Sequence, residues 1–177
     1  MSGLRFIVVQ LLRFALYAGV HVLLISRLAL FDLGWCFLYL GFLLFLPLRT
    51  PIVVQLLLSF AMGLTMDIFY DTGGLHAAAA VLLGFLRPWV LRILTPRDGY
   101  DSADTVNVHQ MGWQWFSVYM LLLVVLHHTA FFVLELGSFR HFGVTLGKIV
   151  VSALFTSAAL LIIQLLFFPV RRGRSSG

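Results

Sequence analysis

Residues 52–94 read IVVQLLLSFAMGLTMDIFY, then DTGG, then LHAAAAVLLGFLRPWVLRIL. Two apolar runs, each close to the roughly 20 residues that a helix needs to cross a hydrocarbon core, flank a short break of polar residues and glycines. Neither run alternates polar with apolar residues as a barrel strand would, and each is about twice a barrel strand's length, so helix is the only spanning element left. The unit is a membrane hairpin.

Upstream, Pro47 and Pro51 bracket Leu48-Arg49-Thr50. Proline stops a helix by removing a donor and clashing with the preceding turn, so Arg49 is expected at the tip of a tight turn. Gly34 to Leu48 is short for a span but can extend back to about residue 30, and Phe6 to Ile25 is long enough although Arg13 interrupts it. Ser26-Arg27-Leu28 offers no small-residue cleavage site, so the first run reads as a permanent helix and not a signal peptide. Downstream, Thr95 to Met111 is the only long polar stretch, and two further runs flank the turn Gly137 to Gly143. The expectation is an all-α integral membrane protein, one transmembrane domain of six helices spanning 6–25, 30–48, 52–70, 75–94, 112–136 and 144–168.

Composition agrees. Of 177 residues, 61% are apolar and 11% charged, and the mean hydropathy is +1.01. A soluble domain is about half apolar and a quarter charged, and a chain of this size has no interior large enough to hide the surplus. Six spans take about 120 residues, which leaves no room for a soluble enzyme domain, a DNA-binding module or a receptor ectodomain. The net charge of +5 invites a nucleic-acid reading, but the basic residues are scattered at the ends of apolar runs instead of gathered on one solvated face. The single cysteine, Cys36, excludes an intrachain disulfide.

Cytoplasmic loops carry the excess of Lys and Arg. With six spans, Arg5, Arg49, Arg92, Arg97, Arg171, Arg172 and Arg174 share a side with the termini, against Arg27, Arg140 and Lys148 opposite. Both termini and the Thr95 to Met111 loop are therefore expected in the cytoplasm.

An ionisable group at membrane depth costs about 3 kcal/mol on insertion scales, so each one needs a reason. Asp67 and Asp71 are one helical turn apart, and His76 opens the next helix across Gly73-Gly74. That set fits a metal site or an acid/base pair, but it also fits helix ends solvated and capped at the membrane exit. Arg87, followed by the helix-kinking Pro88, either binds an anion or snorkels to the interface, and interface is the expectation. Arg13 poses the same choice. His127 and His128 point about 100° apart on a helix, which suits interhelical hydrogen bonds better than a shared metal. Ser59 with Gly63, and Gly143 with Gly147, are small-residue pairs that let helices approach closely. No hydrolase, zinc-protease or nucleotide-binding signature accompanies any of these.

Gly63-Leu64-x-x-Asp67, Gly74-Leu75-His76-Ala77-Ala78, Phe85-Leu86-Arg87-Pro88 and Thr95-Pro96-Arg97-Asp98-Gly99-Tyr100 occur in an order that resembles the rod shape-determining protein MreD family, the last two being most similar to its Bacteroidetes-type branch. The resemblance covers most of the chain. It implies a multi-pass protein of the bacterial inner membrane, without enzymatic activity or cofactor, and a fold similar to the six-helix substrate-binding subunits of energy-coupling-factor transporters. It also implies association with an MreC-like bitopic protein and, through it, with MreB, RodA and the transpeptidase of RodA, in a complex that organises peptidoglycan synthesis. Gly63, Asp67 and Gly74 are the family's motif positions. The Arg97-Asp98 loop would be open to cytoplasmic partners. The shared architecture alone suggests a different class, a vitamin-binding transport subunit, which requires an aromatic-lined cavity open to the exterior.

Overall fold

The computed structural model describes residues 3–25, 29–30, 34–100, 105–136 and 142–167. The topology charges Arg27, Arg140, Arg171, Arg172 and Arg174, the loop residues Asp101 and Asp104, and most of the turn 137–143 lie outside them. The described chain is mostly helical. Helix α1 (Gly3–Val20) continues into a π-helical turn (His21–Ile25), and a minimal antiparallel ladder pairs β1 (Ala29–Leu30) with β2 (Gly34–Trp35). Then follow α2 (Leu40–Leu44), α3 (Ile52–Tyr70), α4 (Leu75–Ile93), α5 (Val108–Met111), α6 (Trp113–Glu135) and α7 (Phe142–Phe167).

Helices α3, α4, α6 and α7 are long and apolar enough to cross a membrane, as a multi-pass membrane protein requires, and Ile7–Leu23 of the first helix is a shorter apolar stretch. Their outer faces are exposed leucines, isoleucines, valines and phenylalanines, among them Leu12, Leu57, Ile68, Phe85, Val118, Leu154 and Leu166. Such a belt is a liability in water and the ordinary surface in lipid.

The segment expected as a spanning helix over 30–48 is different. Only Leu40–Leu44 is α-helical there, yet every residue from Cys36 to Leu46 is buried. The segment runs antiparallel to α6 through the middle of the bundle. Trp35 packs on Phe132, Phe37 stacks on His128, Tyr39 bonds His127, the Leu44 carbonyl bonds Tyr119, and Phe45 stacks on Phe116. Phe132 to Phe116 is a rise of about 24 Å along α6, whereas Trp35 to Phe45 as a helix reaches only about 15 Å. An apolar run too short to match that length of α6 as a helix matches it by stretching. Lipid forbids irregular backbone unless protein surrounds it, and here protein does. Arg49 is exposed in the expected turn, closed by the Thr50 amide and hydroxyl on the Pro47 carbonyl at 3.1 and 2.7 Å.

Helices α3 and α4 pack most closely of all. A Cβ on Gly63 would lie 2.4 Å from the Ala77 Cα, and one on Gly84 would meet the Ser59 hydroxyl. The Ser59/Gly63 pair is thus used between these helices. Gly143 and Gly147 have nothing within 4 Å of such a Cβ, so that pair plays no part in packing among the described residues. Gly63→Ala should force the two backbones apart at a cost of about 1–3 kcal/mol. Thermal unfolding in detergent should show a lowered midpoint for Gly63→Ala and an unchanged one for Gly147→Ala.

Candidate functional site

The inner segment carries its own backbone polar groups into the bundle, and the buried polar side chains of the helices answer them. At the Asp67 end, the Trp35 amide donates to the Ser152 hydroxyl and the Phe37 amide to the Thr156 hydroxyl, both at 2.9 Å. The amides of Leu40, Gly41 and Phe42 turn back on the carbonyls of Phe37, Leu38 and Tyr39. At the Arg49 end the carbonyls of Leu44 and Leu46 point at Arg87, whose Nη2 donates to both.

Arg87 is therefore not at the interface. It is 1% exposed and each of its three nitrogens donates, Nε to the Tyr119 hydroxyl at 2.7 Å and Nη1 to Gln55 Oε1 at 3.0 Å. Snorkelling lost because the irregular segment offers carbonyls closer than the interface does. Tyr119 passes its own proton to the Leu44 carbonyl at 2.8 Å. Gln55 also donates through Nε2 to the Gly84 carbonyl, the one that Pro88 leaves without its usual helical donor four residues on. One glutamine thus repairs the proline break and orients the arginine.

At the opposite end Asp67 is buried and all its acceptor work is done by one hairpin. Oδ1 accepts from the Thr72 hydroxyl and from the His76 amide at 3.0 Å, and Oδ2 accepts from the Ala77 amide at 2.9 Å. A carboxylate on the first free amides of a helix matches both their hydrogen-bonding need and the helix dipole. Gly74 starts α4 with φ +99°, a backbone only glycine adopts easily. Asp71 does not join this group: it is exposed and ends α3 in a left-handed conformation, φ 53°. The His76 side chain is buried in the core and bonds Tyr39 instead of an aspartate.

There Tyr39 joins two histidines, its hydroxyl lying 3.0 Å from His76 Nδ1 and 2.9 Å from His127 Nε2. His128 Nδ1 is 2.8 Å from the Val124 carbonyl, which can only accept, so Nδ1 carries a proton, and Nε2 lies 3.2 Å from the Thr156 hydroxyl. His127 and His128 thus bond separate partners. Among the described residues no group of three or more His, Cys, Asp or Glu is placed to hold a metal ion. Arg97 and Asp98 are exposed in a turn closed by the Gly99 amide on the Pro96 carbonyl.

Beside the histidines lies a cavity of about 250 Å³, lined by His21, Trp35, Phe37, His76, Phe131 and Phe132, with Tyr70, Thr72 and Glu135 toward its exposed rim. His21 Nδ1 is buried there without a hydrogen-bond partner among the described residues.

Sequence reasoning passed over Gln55, Tyr39, Ser152 and Thr156. A signal for the first was present: Gln55, Ser59, Gly63 and Asp67 recur every fourth residue, one stripe of polar and small residues on an otherwise apolar helix. Compared with known proteins, the chain matches no family model, no curated protein and no solved structure.

Arg87→Met should cost about 3–5 kcal/mol, since it leaves two buried carbonyls, a buried amide oxygen and a phenol without their charged partner. Arg87→Lys should recover only part, because an ammonium cannot reproduce the planar fork. Urea unfolding in mixed micelles reads both.

Proposed function

We propose that this protein is a non-enzymatic scaffold subunit of the bacterial cell-elongation complex, of the MreD kind. In this reading the chain crosses the inner membrane six times with both termini cytoplasmic, α1 and the irregular Gly34–Leu48 segment supplying the two crossings that precede α3. The architecture is that of the six-helix substrate-binding subunits of energy-coupling-factor transporters. Its lipid-facing helices dock an MreC-like bitopic protein and thereby MreB, RodA and its transpeptidase, with the Arg97-Asp98 turn offered to cytoplasmic partners.

The observation that supports this reading most is that the motif positions Gly63, Asp67 and Gly74 work as one unit, the close approach, cap and turn of the α3–α4 hairpin. Residues that shape a surface hairpin suit a protein that acts by holding others. The interior, meanwhile, is taken up by the chain's own Cys36–Leu46.

The cavity beside His76 favours a second reading, a subunit that binds a vitamin-like molecule from the exterior. Its aromatic lining is what that class requires, but about 250 Å³ falls below the roughly 300–1,000 Å³ of most small-molecule pockets. Scaffold therefore ranks first.

Depletion in a rod-shaped bacterium that carries this protein and no paralogue of it should round the cells. Asp67→Ala, by leaving the α4 amides uncapped, should weaken co-purification of the MreC-like partner and fail to restore rods. Normal rods after complete loss would contradict the scaffold reading, and purified protein that retains riboflavin, thiamine or biotin would put the transport subunit first.

A further inference from the structure

The two arginines inside the apolar runs have opposite surroundings. Arg87 is buried with all three guanidinium nitrogens hydrogen-bonded. Arg13 is exposed on the lipid-facing side of α1 and makes no hydrogen bond or ion pair with any described residue. It stands about 9 Å beyond Ile7, where the apolar stretch begins, at 1.5 Å per residue. A guanidinium at that depth needs an anion or water.

Beside it α1 and α7 fail to close on each other. The gap is a groove of about 510 Å³, with Arg13 and Tyr17 on one wall, Ile163 and Phe167 on the other, and Val20 and Leu38 deeper in. Phe167 ends α7, so the groove opens toward the same end of the bundle as the N-terminus of α1. Apart from Arg13 and the Tyr17 hydroxyl, its named walls are hydrocarbon and aromatic ring. In a membrane such a gap is filled.

From the charge at its mouth and its apolar depth, we infer that this groove binds an anionic phospholipid of the adjoining leaflet, one acyl chain lying between α1 and α7 and the phosphate taken by Arg13 with the Tyr17 hydroxyl. Arginine suits the task because its fork matches phosphate oxygens. The site stands independently of the scaffold reading.

Native mass spectrometry of the full chain, titrated with phosphatidylglycerol and phosphatidylcholine of identical acyl chains, tests it. Phosphatidylglycerol should bind about tenfold more tightly, the worth of one charge-assisted contact. Arg13→Gln should abolish that preference, Arg13→Lys should keep most of it, and Arg49→Gln, at the exposed turn, should leave it unchanged. A photoreactive residue replacing Ile163 in membranes should capture lipid. Equal affinity for the two lipids, a preference that survives Arg13→Gln, or capture of a protein segment at position 163 would each overturn the assignment.

Discussion

A stretch of irregular backbone inside a membrane protein sets the terms for everything around it. Carbonyls and amides that a helix would pair internally must find partners on other elements, because no water reaches them and each unpaired group costs about 1–3 kcal/mol. The segment from Trp35 to Leu46 takes two hydroxyls from α7, one guanidinium from α4 and one phenol from α6. Ser152, Thr156, Arg87 and Tyr119 are thus the complement of one buried strand of chain.

The same constraint orders the two ends. At the Arg49 end, Arg87 gathers Gln55, Tyr119 and the two carbonyls into a single cluster, so α3, α4, α6 and the inner segment share one junction. At the Asp67 end the carboxylate closes the α3–α4 hairpin, while Tyr39 and the histidines link the inner segment to α4 and α6. The cavity lies in this second cluster, between His21, the Trp35 and Phe37 side chains of the inner segment, His76 of α4 and Phe131 and Phe132 of α6.

Hydropathy made most of this architecture legible. The apolar runs over 52–70, 75–94 and 112–136 correspond within a residue or so to α3, α4 and α6, because lipid enforces helix wherever a run is long enough. It failed over 30–48 for a reason of the same kind: hydropathy registers that a segment is dry, but being surrounded by protein and being surrounded by lipid are equally dry. The run of Gly34 to Leu48 was short, and shortness was the sign that it runs stretched. Arg87 was misplaced in consequence, since its partners are backbone carbonyls that no side-chain pattern reveals. Asp67 was placed among helix ends because its partners are local in sequence, whereas Asp71, one turn away, shows that spacing alone does not bring two carboxylates together when a helix stops between them.

If Arg87 and Tyr119 brace the same carbonyl, their contributions to stability cannot be independent. A double-mutant cycle with Arg87→Met and Tyr119→Phe, read by unfolding in mixed micelles, measures this directly. A coupling of about 1–3 kcal/mol is predicted, the double variant losing little more than Arg87→Met alone. Losses that add to within about 0.3–0.5 kcal/mol would contradict the account.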